Sequence, residues 1–128
     1  MLRVLIVDDA PEIRARLQAM LKAVPGVEVV GCAAGAREAL ELAESTAPDV
    51  VVLDVALRDG DRGYAVLREL AQRQPQVQVI VLSNFGWSSM REGFLRIGAR
   101  AYFDKAFEFR LAIDWIAAAA AARAGERA

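Results

Sequence analysis

The chain has 128 residues, one cysteine, no histidine and a formal net charge of −1. Its length suits one domain of ordinary size and is too short for two. The missing histidine excludes Ser–His–Asp and Cys–His catalysis and histidine phosphorylation on this chain, and the single cysteine excludes an internal disulfide and a cysteine-rich zinc site.

Composition also disfavours two kinds of partner. A net charge near zero argues against a general nucleic-acid-binding surface. The longest stretch of low polarity, residues 116–122, is far shorter than the roughly 20 residues of a membrane span, and the apolar run near the N-terminus is too short for a signal peptide. We therefore expect a cytoplasmic protein that contacts neither nucleic acid directly nor a membrane.

The first half of the chain alternates between apolar runs and stretches with helical spacing. In chain order, these predict a strand, a helix, a strand, a helix and a strand, over residues 2–7, 11–24, 27–33, 36–45 and 50–53. Pro11 suits the first turn of its helix, and prolines stop both helices. The second strand alternates in polarity, as an edge strand does, whereas the third is wholly apolar.

The second half continues the same alternation. It predicts a helix, a strand, a helix, a strand and a last helix, over residues 64–74, 77–82, 88–97, 100–103 and 107 to about 123. Gly98 is the expected C-cap of the fourth helix. Phe94, Phe107 and Trp115 are expected to pack in the core, whereas Trp87 lies in a short loop and is the candidate for an exposed aromatic residue.

Strand and helix alternate five times, which implies a parallel sheet with helices on both faces. Right-handed crossovers and one reversal of strand order favour an α/β, flavodoxin-like doubly wound (βα)5 sandwich with strand order 2-1-3-4-5. We expect one domain over residues 1–123 and a short C-terminal tail, residues 124–128, with no output domain. In such sheets the ligand lies beyond the carboxyl ends of the strands, where the order reverses.

Five polar side chains follow strands at that edge of the predicted sheet: Asp8, Asp9, Asp54, Ser83 and Lys105. Each one alone suits a helix cap or a turn, but two adjacent acids exceed what a cap requires. Clustered carboxylates repel one another unless a cation lies among them, and Mg²⁺ is the ion that suits such oxygen ligands. A cation, a nucleophilic carboxylate, a hydroxyl and a lysine are what phosphoryl transfer to an aspartate requires.

The chain contains, in this order, the segments VLIVDD (4–9), PDVVVLD (48–54), VIVLS (79–83) and GARAYFDK (98–105). Together they resemble the receiver domain of bacterial two-component response regulators, and the resemblance covers residues 2 to about 123. It implies that Asp54 accepts a phosphoryl group from the phosphohistidine of a histidine kinase or histidine phosphotransfer protein. It also implies that Asp9, Asp54 and the Ala56 carbonyl ligate Mg²⁺, with Asp8 acting mainly through a bound water.

The same resemblance implies how the signal is passed on. Ser83 would hydrogen-bond the phosphoryl group, Lys105 would pair with it, and the rotamer of Tyr102 would report the state. A surface on helix 4, strand 5 and helix 5 would then bind a downstream target protein; it includes Trp87, Met90, Phe94, Tyr102, Phe107 and Trp115. The chain is not expected to be an enzyme beyond its own phosphorylation and dephosphorylation.

Three positions depart from the family pattern. Ala106 stands where a proline with a cis peptide bond is usual, and we expect a trans bond because a cis bond costs about 2.5–4 kcal/mol without proline. The loop at residues 55–63 is one residue longer than usual. Asn84 stands where a small residue is usual, and Asn84 and Ala56 are expected to set the lifetime of the phosphoaspartate.

Three alternatives compete with the receiver interpretation. A pseudo-receiver would keep the fold as a phosphorylation-independent protein-interaction module, and the complete set of five polar residues argues against it. A phosphatase with an aspartate nucleophile would have a second acid two residues later, where this chain has Ala56. A nucleotide-binding protein would have a glycine-rich loop after the first strand, which is missing.

Overall fold

The computed structural model describes residues 1–60, 62–85 and 88–127, with the backbone alone at residues 59, 88, 126 and 127. Strands and helices alternate within these ranges. The strands are β1 (Leu2–Val7), β2 (Val27–Ala33), β3 (Val50–Leu53), β4 (Gln78–Ser83) and β5 (Ala101–Asp104). The α-helices are α1 (Pro11–Lys22), α2 (Ala36–Thr46), α3 (Gly63–Arg73), α4 (Ser88–Arg96) and α5 (Phe109–Arg127).

The five strands form one parallel sheet in the order β2-β1-β3-β4-β5. This confirms the predicted flavodoxin-like α/β architecture and its strand order. The order reverses between β1 and β3, so the carboxyl ends of these two strands lie side by side. Val7 of β1 and Leu53 of β3 are register partners, which places Asp8 next to Asp54.

Two hydrophobic cores cover the two faces of the sheet. Helices α2, α3 and α4 pack on one face, where Phe94 is buried as predicted, and α1 and α5 pack on the other. Because the central strands are buried on both faces, their sequences are nearly continuous apolar runs. β2 lies at the edge and is half exposed, as its alternation predicts. No helix in the described part of the chain is long and apolar enough to cross a membrane.

The last helix differs from the sequence prediction at both ends. It begins at Phe109, not at residue 107, and residues 124–127, predicted as a tail, form its last turn. Phe107 is 90% exposed, so the prediction that it packs in the core is wrong. The reason is local: the Phe107 N–H is bonded to Asp104 Oδ1, 3.1 Å away, which keeps residue 107 in the turn and leaves the first buried position to Phe109.

The loop between β3 and α3 folds back on itself directly after Asp54. Ala56 and Arg62 form an antiparallel bridge, and the Gly63 N–H donates a 2.8 Å hydrogen bond to the Val55 carbonyl. Gly63 therefore lies against the backbone that carries Asp54: a Cβ atom added at residue 63 would be 2.1 Å from the Asp54 carbonyl oxygen. This position requires glycine because the approaching atom is backbone and cannot rotate away.

We expect Gly63→Ala to destabilise the fold by about 1–3 kcal/mol, because the added methyl group displaces the backbone at Asp54. Gly93→Ala in α4 is the matched control, since a Cβ there has no neighbour within 4 Å. Alanine at residue 93 should stabilise its helix by roughly 0.5–1 kcal/mol. Urea unfolding of both variants measures the difference. Equal stability of the two variants would contradict the close contact.

Candidate functional site

The site begins with three carboxylates at the carboxyl ends of β1 and β3. Asp8 and Asp9 follow β1, and Asp54 follows β3. Backbone bonds fix this edge: the Asp54 N–H donates to the Val7 carbonyl over 2.9 Å. Each acid offers a carboxylate oxygen, and these oxygens all lie within 4.8 Å of one another. The sequence prediction that the three acids converge is thus borne out by their geometry.

Lys105 supplies the positive charge at this cluster. Its Nζ lies 2.7 Å from Asp8 Oδ2 and 3.2 Å from Asp54 Oδ2, and the residue is buried. Burial lowers the pKa of Lys105, but the hydrogen bond to Asp8 and the charges of Asp54 and Asp8 outweigh it, so the pKa is raised above its ordinary value. Lys105 is therefore a fixed ammonium ion at neutral pH.

The two buried carboxylates share this one ammonium group. Burial first, and then the charge of Asp8, raise the pKa of Asp54 from 3.8 to about 6, and Lys105 compensates only in part. One oxygen of Asp54 accepts a 2.8 Å hydrogen bond from the Val55 N–H, while the other faces Lys105. Asp54 is thus mostly ionised at neutral pH. Any further negative charge beside it raises the electrostatic free energy of the site unless a cation is bound with it.

An open cleft gives access to the cluster. Its volume is about 480 Å³, and it is lined by Asp9, Ala10, Glu12, Ile13, Asp54, Ala56, Asn84, Phe85, Lys105 and Ala106. Four of the predicted site residues, together with Asn84, therefore face one cavity. A larger groove of about 660 Å³ lies at the opposite end of the sheet beside Asp49 and Arg123, but it does not contain this cluster.

Ser83 and Tyr102 lie behind the cleft and do not line it. Ser83 is fully buried, and its Oγ accepts a 2.9 Å hydrogen bond from the Phe85 N–H. The Tyr102 hydroxyl donates to the Phe85 carbonyl, and its ring packs against Phe94 with centroids 5.9 Å apart. Burial raises the pKa of Tyr102, partly offset by a hydrogen bond with Ser83. Phe85, which lines the cleft, therefore connects both residues to it.

Sequence reasoning missed three residues around the cluster. Arg14 Nη1 donates a 2.7 Å hydrogen bond to the Asp8 carbonyl. Asp104 and Glu108 close the turn that contains Lys105. The spacing of two acids four residues apart, between a strand and a helix, was the available signal for the last pair, since acids cap such turns. The peptide bond before Ala106 is trans, as expected.

Comparison with known proteins identifies the family. The family model described as the response regulator receiver domain matches residues 4–117. The chain belongs to this family, the receiver domains of two-component response regulators. The resemblance to a receiver domain, which the sequence analysis based on four segments, is therefore confirmed over residues 4–117.

Two curated relatives illustrate how the chain compares with longer proteins. It is 38% identical over 107 residues to a protein-glutamate methylesterase/protein-glutamine glutaminase of Alkalilimnicola ehrlichii, covering 82% of this chain and 27% of the relative. It is 33% identical over 105 residues to the response regulator GacA of Pseudomonas aeruginosa, covering 82% of this chain and 49% of the relative. The chain thus spans half or less of the length of either relative.

Solved structures support the same assignment. The response regulator domain of Thermotoga maritima CheB matches with a TM-score of 0.81 and 26% identity, over 94% of this chain and 93% of that chain. A CheY-like response regulator receiver domain protein of Methanospirillum hungatei matches with a TM-score of 0.81 and 26% identity, over 97% of both chains. Both matches extend over essentially the whole fold.

The raised pKa of Asp54 predicts a pH-dependent stability. The pKa of Asp54 in the fold, about 6, lies above the ordinary 3.8. The stabilising contribution of this shift to the free energy of unfolding is therefore fully present below about pH 4 and is lost as the pH rises through about 6. We expect Asp54→Asn to be more stable than the unchanged chain by about 1–3 kcal/mol at about pH 7.5, and much closer to it at about pH 4. Urea unfolding at both pH values measures this, and a difference that does not vary with pH would contradict it.

Proposed function

We propose that the chain is the phosphoacceptor of a two-component or phosphorelay system and that Asp54 receives the phosphoryl group. The observation that supports this most directly is that Asp54 faces an open cleft while its carboxylate contacts a buried lysine. In the proposed step a carboxylate oxygen of Asp54 attacks phosphorus and the phosphorus–nitrogen bond of a phosphohistidine breaks. The imidazole leaves and takes up a proton. Since this chain has no histidine, the donor is a histidine kinase or a histidine phosphotransfer protein.

Within this proposal Lys105 neutralises the phosphoryl oxygens, since it is the buried cation beside Asp54. Ser83 would donate its O–H to the same group, since its Oγ uses only an acceptor site for the Phe85 N–H. Asn84 and Ala56 line the cleft next to Asp54. Their side chains are therefore placed to influence how water reaches a phosphoaspartate.

The residues present fit a magnesium ion. Their donor atoms are the hard oxygens that Mg²⁺ prefers, and the carboxylates of Asp8, Asp9 and Asp54 are close enough to share one ion. We propose Asp9, Asp54 and the Ala56 carbonyl as ligands, with Asp8 acting through water. When bound, Mg²⁺ would reduce the repulsion among the acids and neutralise phosphoryl charge.

The proposed output surface lies on α4, β5 and α5. Among the described residues, large apolar side chains are exposed on α4 (Leu95, 38%), on α5 (Leu111, 51%) and in the turn between β5 and α5 (Phe107, 90%). Trp115 on α5 is half-buried and packs against the core, in line with the sequence prediction. Tyr102, the proposed switch residue, lies buried beneath this surface. Trp87, predicted as the exposed aromatic, lies outside the described residues. This arrangement supports a surface that binds a downstream target protein.

Phosphorylation at Asp54 can be tested directly. In the presence of Mg²⁺, acetyl phosphate should add one phosphoryl group to the chain, and the Asp54→Asn variant should gain none because its amide is not a nucleophile. Intact-mass spectrometry measures the addition. Asp114→Asn is the matched control, since Asp114 pairs with Arg110 on the surface of α5, and this variant should be phosphorylated normally. Failure of the unchanged chain to react would favour the pseudo-receiver.

Magnesium binding predicts a gain in thermal stability. Millimolar Mg²⁺ should raise the melting temperature by about 2–5 °C, because an ion that binds only the folded chain stabilises it and reduces carboxylate repulsion. The rise should be largely lost in Asp9→Ala and kept in Asp114→Asn. Scanning calorimetry with and without the ion measures it. An equal rise in Asp9→Ala would show that the ion binds elsewhere.

A further inference from the structure

The turn between β5 and α5 contains two acids that the proposed reaction does not use. Asp104 ends β5, and Glu108 directly precedes α5. Asp104 Oδ1 accepts hydrogen bonds from the N–H groups of Ala106 (2.8 Å) and Phe107 (3.1 Å). Glu108 Oε1 accepts one from the Asp104 N–H (3.0 Å), and the Glu108 N–H donates to the Asp104 carbonyl (2.8 Å). The two acids thus close the turn reciprocally.

Lys105 lies inside this closed turn. Its own N–H donates a 2.8 Å hydrogen bond to the Ser83 carbonyl, which ties the turn to β4. A lysine side chain has four rotatable bonds. Its ammonium group therefore occupies one position consistently only if the backbone of the residue is held in place. Here the backbone is held on both sides, and Nζ reaches Asp8 and Asp54.

Ala106 explains why the acids are needed at this turn. Proline at residue 106 would restrict the backbone by its ring, whereas alanine leaves it free to rotate. Alanine also keeps the N–H that proline lacks, and this N–H is the one that Asp104 binds at 2.8 Å. The hydrogen bonds of Asp104 therefore supply a restraint that the residue at 106 does not.

We infer that Asp104 and Glu108 are positioning residues for Lys105: their carboxylates fix the turn and so hold the ammonium group between Asp8 and Asp54. Any effect of these two acids on phosphorylation of Asp54 rests on the proposed function. Their effect on the position of the Lys105 ammonium group does not, because that group already lies between Asp8 and Asp54 in the unphosphorylated chain. The two can therefore be measured separately.

One pair of substitutions separates positioning from a simple charge effect. Asp104→Asn keeps an oxygen that accepts the two N–H groups but loses the charge, whereas Asp104→Ala loses both. If Asp104 acted only through its charge, both variants would bind an anion at Asp54 more tightly. If it positions Lys105, Asp104→Ala should bind the anion more weakly, and Asp104→Asn should stay close to the unchanged chain.

The first measurement is nitrogen-15 NMR of the lysine ammonium groups. The chain has two lysines, and Lys22 is exposed, so a signal protected from exchange with water belongs to Lys105 and is assigned by its loss in Lys105→Ala. The Lys105 signal should broaden or vanish in Asp104→Ala and persist in Asp104→Asn. An unchanged signal in folded Asp104→Ala would overturn the inference, as would its loss in both variants alike.

The second measurement is binding of beryllofluoride, an anion that mimics a phosphoryl group, at saturating Mg²⁺ by fluorine-19 NMR. Asp104→Ala should raise the Kd for beryllofluoride by about tenfold, because the charge-assisted contact between the Lys105 ammonium group and the anion is lost. In the Lys105→Ala background, Asp104→Ala should cause almost no further increase in the Kd, because Asp104 acts through Lys105. Additive effects of the two substitutions would show a general structural role and overturn the inference.

A second pair of variants guards against misfolding of Asp104→Ala. Glu108→Ala removes the acceptor of the Asp104 N–H, and Glu108→Gln keeps it. The Lys105 ammonium signal should weaken in the first and persist in the second; identical signals in both would contradict the part assigned to Glu108. If the unchanged chain does not bind beryllofluoride, the proposed function is wrong, and the ammonium signals still decide whether the turn positions Lys105.

Discussion

The structure of the site depends on one electrostatic constraint: two buried carboxylates share one ammonium group. Asp8 and Asp54 lie together because β1 and β3 are neighbours in register, and Lys105 contacts both. A buried excess of negative charge is costly in a medium that solvates ions poorly. The raised pKa of Asp54 expresses this cost. In the proposed function, the same imbalance would favour a cation at the cluster and would make binding of a phosphoryl group depend on that cation.

Packing and backbone hydrogen bonds hold the edge of the sheet that carries this cluster. The central strands are packed on both faces, and backbone bonds fix the residues just beyond them. Gly63 lets α3 start directly against the Asp54 backbone. At the other side, the turn after β5 holds Lys105. Core packing aligns the strands, and a few close backbone contacts set the final positions of Asp54 and Lys105.

The sequence predicted most of the fold and the convergence of the three acids and Lys105 at one edge of the sheet. Strands at residues 2–7, 27–33 and 50–53 were predicted to the residue, because buried runs and turn residues mark their ends. The exposed position of Phe107 was not predicted, since it depends on the hydrogen bond that the Phe107 N–H donates to the Asp104 carboxylate. The close approach at Gly63 was missed for a similar reason: it arises where two backbone segments meet, and no pattern of side chains records it.

Helix α5 gives the molecule a mechanical link between its two ends. Its 19 residues make a rod of about 28 Å at 1.5 Å per residue. The rod starts at the turn that holds Lys105, and near its far end Arg123 pairs with Asp49 at 2.6 Å, beside the amino end of β3. The turn that contains Lys105 and the Arg123–Asp49 pair are thus joined by one continuous helix, so α5 connects the two ends of the sheet in a single element.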